Sequence, residues 1–162
     1  MELHAMAHSF QLVGIDPEQF EPLFQLPHEE LKRHGAMRQY ASESPGYPCR
    51  VSLQDAEAGE ELLLLPYLHQ PAASPYRASG PIYVRRGAKR RTLPAGDVPS
   101  YVTRRLMSVR AYDGAHMMVA ASVSEGTLAA QEILRFFENP QVSYIHLHNA
   151  KRGCFSCRVD RV

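Results

Sequence analysis

Two histidines near the carboxyl end of the chain have the spacing of a site on a β-strand. His146 and His148 alternate with aliphatic residues, so on a strand they share one face with Tyr144. Ile145 and Leu147 occupy the opposite face. Imidazoles transfer protons near neutral pH and bind metal ions. We expect the aliphatic pair to face the core and the histidines to face solvent or a cleft.

Two further predicted strands would bring partners to the histidines. Arg110 and Tyr112 share one face of a strand that begins at Ser108, and Arg158 shares a face of the last strand with Ser156. On the other face of that last strand we expect Phe155, Cys157 and Val159. If these strands are neighbours, one sheet face gathers imidazole, phenol and guanidinium groups, which suits anion binding or acid–base catalysis. The alternative is a solvated sheet face with no site.

These considerations assign candidate roles to eight residues. The catalytic candidates are His146, His148 and Tyr112. The candidates for ligand binding are Arg50, Arg77, Arg110, Tyr76 and Asn149. Tyr76 and Arg77 lie in the proline-rich segment SPYRASGP, where a guanidinium group could clamp a phosphate or carboxylate. The alternative there is a crossover loop whose arginine pairs with a carboxylate of the protein.

The His-x-His spacing also suits a metal ion, because both imidazoles point the same way. A third ligand could come from His69, Asp113 or Cys49. No carboxylate stands at a fixed spacing from the pair, so we assign no metal site and leave any cofactor open.

The cysteines Cys154 and Cys157 form a C-x-x-C motif within a predicted strand. Positions i and i+3 of a strand face opposite sides, and only Cys49 remains to complete a zinc site. We therefore expect both thiols to be buried, reduced and inert, without a disulfide. A nucleophilic Cys49 served by His69 or His148 is an alternative that lacks a local signature.

Charge is distributed unevenly along a chain whose formal net charge is only +1. Residues 1–65 carry a net charge of −7 and residues 66–162 carry +8. Two complementary surfaces of one domain would explain this, as would a basic face for an anionic partner. The rival to a small-molecule site is therefore an interaction module, or a dimeric structural protein, without a catalytic pocket.

Three observations bear on partners and location. Residues 85–91 contain five cations, which with Arg104 and Arg105 could follow a phosphate backbone, but no reading module accompanies them and no nucleic-acid partner is expected. No run approaches the roughly 18 apolar residues of a membrane span, and no secretion signal is evident. Three cysteines fit a reducing compartment, so we predict a cytoplasmic protein without a membrane partner.

The elements that position these residues follow from periodicity and from helix and turn signals. Strands are expected over residues 10–13, 62–65, 82–84, 108–112, 116–123, 142–148 and 154–159. Helices are expected after Asp16 and Pro17, and over residues 27–35, 98–107 and 127–139, the last ending before Pro140. The strand over residues 62–65 is expected to lie at a sheet edge or to bend at Pro66, and residues 69–81 are expected to form a long loop or a linker.

The predicted class is α+β, with a mainly antiparallel sheet and helices packed on one side. The chain has 162 residues, 44% of them apolar, which allows one core of ordinary size. We predict a single domain over residues 10–162 and a flexible segment over residues 1–9.

Four separated segments resemble a known family in the same order. They are PGYPCRVSLQDAEAGEELLLLPYLHQP, SPYRASGPIYV, LMSVRAYD and VSYIHLHNAKRGCFSCRVDR. Together they resemble the bacterial Domain of Unknown Function family 1203 over nearly the whole chain from Phe10 onward. The resemblance implies a single-domain bacterial protein, and it implies no activity, cofactor or catalytic residue.

Overall fold

The computed structural model describes residues 9–162, so most of the segment predicted to be flexible lies outside the described residues. Within that range the chain forms ten strands: β1 Phe10–Val13, β2 Met37–Tyr40, β3 Pro48–Cys49, β4 Gln54–Asp55, β5 Glu61–Gln70, β6 Ala78–Arg85, β7 Leu106–Tyr112, β8 Met118–Glu125, β9 Tyr144–Asn149 and β10 Phe155–Arg161. The α-helices are α1 His28–Arg33, α2 Ser100–Thr103 and α3 Ala129–Phe137. Short 3-10 helices cover Pro17–Gln19, Glu21–Gln25 and Gly126–Leu128.

The first sheet has the strand order β1-β10-β9-β7-β8, and its neighbouring strands are antiparallel. Helix α3 packs on one face of it. Ile133 and Phe137 of the helix share a buried core with Ile145 and Leu147 of β9. The helix is amphipathic, which explains why it docks on this face and leaves Leu134 exposed.

The second sheet has the order β2-β5-β6-β3-β4, and among its described pairs only β3 with β6 is parallel. Its core includes Leu63 and Leu65 of β5, with Leu31 of α1. Phe155 of β10 belongs to the same core, so the first sheet's second face packs against this sheet. The predicted α+β class is confirmed. The chain forms two sheets rather than one, because alternation shows which residues share a face but not which strands pair.

The predicted helix over residues 98–107 is mostly wrong. Only Ser100–Thr103 is helical, and β7 begins at Leu106. Leu106 pairs with Glu125 of β8, so sheet pairing overrides the local helical signal. The helix expected from Thr127 begins instead at Ala129, after the 3-10 turn at Gly126. A Cβ at Gly126 would overlap the carbonyl oxygens of Val102 and Arg105, so only glycine allows this close approach.

Pro66 does not end its strand, since β5 continues to Gln70. The partner strand β2 stops earlier, where Met37 pairs with Leu64, so Pro66 lies beyond the end of β2 and removes no ladder bond on that side. The long loop predicted over residues 69–81 is therefore shorter, because only residues 71–77 separate β5 from β6.

Candidate functional site

The strand register brings the predicted histidine and arginine face together. Across β7 and β9, Arg110 lies opposite His146 and Tyr112 lies opposite Tyr144. Ser108 lies opposite His148 in the same ladder. Arg158 of β10 lies opposite His146 on its other side. We call this set the polar face: Ser108, Arg110, Tyr112, Tyr144, His146, His148 and Arg158.

The polar face is not open to solvent at its histidines, contrary to prediction. His146 is 2% exposed and His148 is 1% exposed, while Ile145 and Leu147 are buried on the opposite side. The ring of His69, from β5, lies 5.0 Å from that of His148. The alternation was predicted correctly, but it cannot show that a second sheet covers the face.

A bulge in β10 changes one predicted neighbour. Phe155 pairs with His148 and Cys157 pairs with Leu147, so Ser156 is the extra residue between them. Phe155 was predicted on the face of Cys157 but lies on the polar face instead. There its ring stacks on His69, with centroids 5.3 Å apart and planes 9° apart.

Both buried histidines are neutral at physiological pH. Burial lowers the pKa of His146 from 6.5 to about 3, reinforced by repulsion from His148 when that ring is protonated and by the charge of Arg158. Burial lowers the pKa of His148 to about 4, although its hydrogen bond with the Gly153 carbonyl opposes the shift. A general base works best with a pKa near the working pH. The catalytic assignments of His146, His148 and Tyr112 therefore gain no support from this environment and stay predictions.

Three buried imidazole nitrogens lack a hydrogen-bond partner within the described chain: Nδ1 of His69, Nδ1 of His146 and Nε2 of His148. The Nδ1 atom of His148 lies 2.9 Å from the carbonyl oxygen of Gly153 and donates to it, because that oxygen only accepts. In residues 9–162 no three His, Cys, Asp or Glu side chains are placed to hold a metal ion. The proximity of His69, one of the third ligands considered, therefore does not create a metal centre in this arrangement.

The other third ligands are engaged elsewhere. Asp113 accepts backbone N–H bonds from Ala115 and Met117 in the β7–β8 turn. The Sγ atom of Cys49 accepts from the backbone N–H of Arg85 at 3.3 Å.

The three cysteines are free, as predicted. Cys157 is buried as expected, but Cys154 is only partly buried, because it lies in the turn before β10. Burial raises the pKa of Cys157 to about 12, so its thiol stays protonated and inert. Cys157 shares its core with Val159, as expected, but not with Phe155.

The two loop candidates separate. The ring of Tyr76 reaches the polar face and lies 6.1 Å from that of Tyr112. Arg77 instead donates to the carbonyl oxygen of Pro71 and closes its own loop. Arg110 is half-buried, and its Nε donates to Ser108 Oγ at 3.1 Å.

A separate cleft of about 740 Å³ lies between β3, β5, β6, the start of β7 and the β9–β10 turn. Its cationic lining residues are Arg50, Arg104, Arg105, Lys151 and Arg152, and Glu43 is the only acidic residue among residues 9–162 that lines it. Two residues predicted to bind a ligand, Arg50 and Asn149, belong to this cleft. The remaining candidates lie elsewhere, so the structure divides the predicted site in two.

Arg50 is the most unusual group in the cleft, because it is only 3% exposed. Its Nε donates to the carbonyl oxygen of Phe155 at 2.8 Å and its Nη1 to that of Pro48 at 2.6 Å. Neither acceptor carries a formal charge, and in the part of the chain described no carboxylate lies within ion-pair distance of Arg50. A buried charge without a counter-ion is costly.

The other cations of the cleft differ in their pairing. Arg104 and Arg105 share the buried carboxylate of Asp55, with Arg104 Nη1 at 3.1 Å from Oδ2. Lys151 and Arg152 lie in the exposed β9–β10 turn and form no ion pair with residues 9–162. The cleft therefore keeps positive charge that the described acids do not neutralise.

An aromatic wall completes the cleft. The rings of Tyr47 and Tyr83 lie 5.3 Å apart, and the hydroxyl of Tyr83 donates to Gln39 Oε1 at 3.0 Å. Burial and the neighbouring Tyr47 raise the pKa of Tyr83, while Arg152 and Arg50 oppose that shift. The hydroxyl thus stays protonated at neutral pH and gives the wall no negative charge.

Three residues of the cleft were not predicted as site residues: Lys151, Arg152 and Tyr83. The sequence predicts the turn that contains Lys151 and Arg152. Predicting a turn does not show which other loops lie next to it in the fold. Arg104 and Arg105 were considered only for nucleic acid. The high density of Arg and Lys residues near predicted turns was the one sequence signal for the cleft.

The acidic and basic halves of the sequence meet within one chain. Their closest ion pairs are Asp55 with Arg104 and Arg105, Glu60 with Arg85, and Glu61 with Arg86. Part of the acidic charge of residues 1–65 is therefore paired with basic residues of the same molecule. Among the described helices none is both long and apolar enough to cross a bilayer.

A family model described as "Protein of unknown function (DUF1203)" matches residues 46–161. The matched span contains all five cations of the cleft and the whole polar face. Comparison with curated proteins and with solved structures finds no match. A bacterial origin stays a prediction. Because the match covers more than half of the 162 residues, the chain belongs to the DUF1203 family, as its four sequence segments predicted.

Proposed function

We propose that this protein binds a small anionic molecule in the cleft beside Arg50. The observation that carries the proposal is the buried guanidinium group, which is held by two carbonyl oxygens and has no carboxylate partner in residues 9–162. Carbonyl oxygens fix its orientation without neutralising its charge. A bound anion would supply the missing charge through charge-assisted hydrogen bonds.

The size and lining of the cleft support a ligand with both a charged and an apolar part. Its volume of about 740 Å³ falls within the range usual for small-molecule sites, roughly 300–1,000 Å³. Arg50, Lys151 and Arg152 provide the charge, and the rings of Tyr47 and Tyr83 provide a surface for a planar group. We therefore expect an anion carrying an aromatic or other flat body.

The polar face would support this cleft rather than form it. His148 donates to the carbonyl of Gly153, whose neighbours Arg152 and Cys154 line the cleft. Arg50 in turn donates to the carbonyl of Phe155, which lies on the polar face. The two regions thus share the chain segment 152–155. Binding is the proposal here, and the catalytic assignment of His146, His148 and Tyr112 stays a separate prediction.

We further propose a cytoplasmic location. The three cysteines are free, and two of them are buried. Free thiols persist in reducing compartments.

The test is a titration of the full chain with charged and uncharged probes of the same shape, at constant ionic strength. Benzoate and adenosine monophosphate are compared with benzamide and adenosine by thermal shift and calorimetry. We expect at least one anion to raise the melting temperature while its neutral counterpart does not. Absence of any such shift at millimolar concentration contradicts the proposal.

Variants then locate the binding. Arg152→Gln should weaken anion binding about tenfold, which corresponds to about 1.4 kcal/mol, because it removes one charge-assisted contact. The matched control is Arg33→Gln on α1, whose side chain is 77% exposed and pairs with Glu30. Equal affinities for the two variants would place the anion outside the cleft.

A second candidate function, self-association, is favoured by the edge strand β8. Among the described strands it pairs only with β7. Its eight residues include no proline and one charged residue, Glu125, and Val119 and Val123 are 41% and 63% exposed. Natural edge strands usually carry charges or prolines that block further pairing. We propose that two copies pair along β8 in a homodimer.

Light scattering after size exclusion tests the dimer. The wild type should elute at twice the mass of one chain, and Val123→Lys should convert it to the monomer. Val162→Lys, at a terminal valine that is 55% exposed, is the control and should leave the dimer intact. A monomeric wild type at high concentration rules this candidate out.

A further inference from the structure

We propose that a second, smaller pocket binds a phosphate-type oxyanion. It has a volume of about 340 Å³ and lies beside the turn that follows β3, to which Arg50 of the cleft also belongs. Its lining residues are Ser52, Gln54, Arg85, Gly87, Lys89, Arg90 and Arg91. The site goes beyond the proposed function, because none of these residues lines the cleft.

The buried hydroxyl group of Ser52 is the feature that indicates a ligand. The residue is 5% exposed, and its Oγ is buried without a hydrogen-bond partner in residues 9–162. A buried hydroxyl without a partner is destabilising, so such groups are rare in folded proteins. An oxyanion oxygen in the pocket would accept its hydrogen.

The cations around Ser52 are held in place by the backbone. The N–H of Arg91 donates to the carbonyl of Val51 at 3.0 Å, and the carbonyl of Arg91 accepts from Gly14 at 2.8 Å. Arg90 Nε donates to the carbonyl of Gly14 at 2.9 Å. These bonds fix the 90–91 segment against the turn that carries Ser52, before any ligand arrives.

The charge of the pocket selects an anion. Four of its seven lining residues are Arg or Lys, and none is acidic. Arg85 has Glu60 as an ion-pair partner at 3.3 Å. Lys89, Arg90 and Arg91 pair with no carboxylate within the described chain. Three cations without a carboxylate, beside a hydroxyl donor, match the charge and acceptor capacity of a phosphate group.

A single compact anion fits better than a polynucleotide. Ser52, whose buried Oγ lacks a partner in residues 9–162, lines the same pocket as the four cations. A nucleic-acid surface would need cations spread along a stripe, whereas here they gather around one hydroxyl.

The experiment titrates the full chain with inorganic phosphate at constant ionic strength, followed by amide chemical shifts. We expect saturable shifts at residues 50–54 and 87–91. Ser52→Ala should weaken phosphate binding several-fold and Arg91→Gln at least tenfold, while both variants keep the wild-type melting temperature within a few degrees. The amide shifts of residues 87–91 report the small pocket alone, and their titration with phosphate should be the same in Lys151→Gln, a variant of the cleft, as in the wild type.

Any of the following results would overturn the proposed phosphate site. No saturable shift with phosphate, or equal binding by wild type and Arg91→Gln, overturns the inference. Loss of phosphate binding in Lys151→Gln but not in Arg91→Gln moves the anion to the cleft, which also overturns it and leaves the proposed function intact. Binding of a single-stranded oligonucleotide without binding of free phosphate would assign the cations to a nucleic acid instead.

Discussion

The polar face and the cleft use basic side chains in opposite ways. In the polar face, His146 and His148 are almost fully buried and neutral, with ring nitrogens that lack partners in residues 9–162. In the cleft, Lys151 and Arg152 are exposed, and Arg50 is buried but keeps its charge. Burial can remove the charge of an imidazole by shifting its pKa, whereas a guanidinium cannot be deprotonated in a protein.

This difference indicates where a ligand is needed. A neutral buried imidazole without a partner loses one hydrogen bond. A buried guanidinium without a counter-ion loses far more, so the cleft has the stronger need for an anion. His146 and His148, the residues that look most catalytic in the sequence, are thus less in need of a charged partner than Arg50.

The largest expected effect is acid lability of the polar face. Below pH 6.5 the unfolded chain takes up a proton at His146, while the folded chain resists protonation down to about pH 3. Protons therefore favour unfolding between these values, and stability falls as pH falls. At pH 4.5, two units below the ordinary pKa, His146 should account for a loss of about 3 kcal/mol.

Denaturant unfolding at pH 8 and pH 4.5 measures this loss. His146→Leu should be nearly as stable as the wild type at pH 8 and should lose about 3 kcal/mol less on acidification. His34→Gln, at an exposed histidine of α1's carboxyl end, is the control. If His146→Leu and the wild type lose equal stability, the histidine is not held neutral and the contrast with the cleft fails.

The next largest expected effect is a loss of stability in Gly14→Ala, which acts on the turn that carries Arg50 of the cleft and Ser52 of the small pocket. A Cβ at Gly14 would overlap the carbonyl oxygen of Val51, so Gly14→Ala must displace the turn that carries Arg50 and Ser52. We expect a loss of about 3 kcal/mol in the free energy of unfolding. Gly80→Ala is the control, since nothing lies within 4 Å of a Cβ there. Similar melting temperatures for both variants would show that the turn yields freely.

Removing the carboxylate that pairs with the cations of the cleft should lower the stability of the protein and raise its affinity for anions. Asp55 has a side-chain exposure of 4% and pairs with Arg104 and Arg105. Asp55→Asn should lower stability by about 2 kcal/mol, because it leaves both cations without a carboxylate. The same change should tighten anion binding several-fold, since the cleft becomes more positive. Glu30→Gln, on the exposed surface of α1, should alter neither quantity. Weaker anion binding by Asp55→Asn would indicate that the cleft does not hold the anion.

The sequence predicts the composition of the polar face well because strand alternation fixes it. His146, His148, Arg110 and Tyr112 lie together as their period of two requires. It does not predict the burial of that face, because the covering residue His69 belongs to another sheet more than 70 positions away. Long-range packing of this kind leaves no local periodic signal.

The cleft is harder to predict for a related reason. Its cations come from turns at Arg50, Arg104 and Lys151, which have no repeating pattern. The bulge at Ser156 adds a one-residue shift that alternation cannot foresee, and it reverses the face of Phe155. Sequence reasoning therefore locates sites on strands better than sites between loops.

The smallest expected change in stability comes from substitutions of Tyr83, which test whether the aromatic wall contacts the ligand. Tyr83→Phe removes the hydrogen bond to Gln39 and should cost only about 1 kcal/mol of stability. The affinity of Tyr83→Phe for benzoate should be that of the wild type, because the ring that packs beside Tyr47 remains. Tyr83→Ala removes the ring and should weaken benzoate binding by about five- to tenfold, while binding of a compact anion such as acetate stays the same. Calorimetry on the three proteins measures both ligands. Equal losses for benzoate and acetate would show that Tyr83 only shapes the cleft, whereas a loss confined to benzoate assigns Tyr83 a stacking contact with the ligand and places the ligand in the cleft rather than at the polar face.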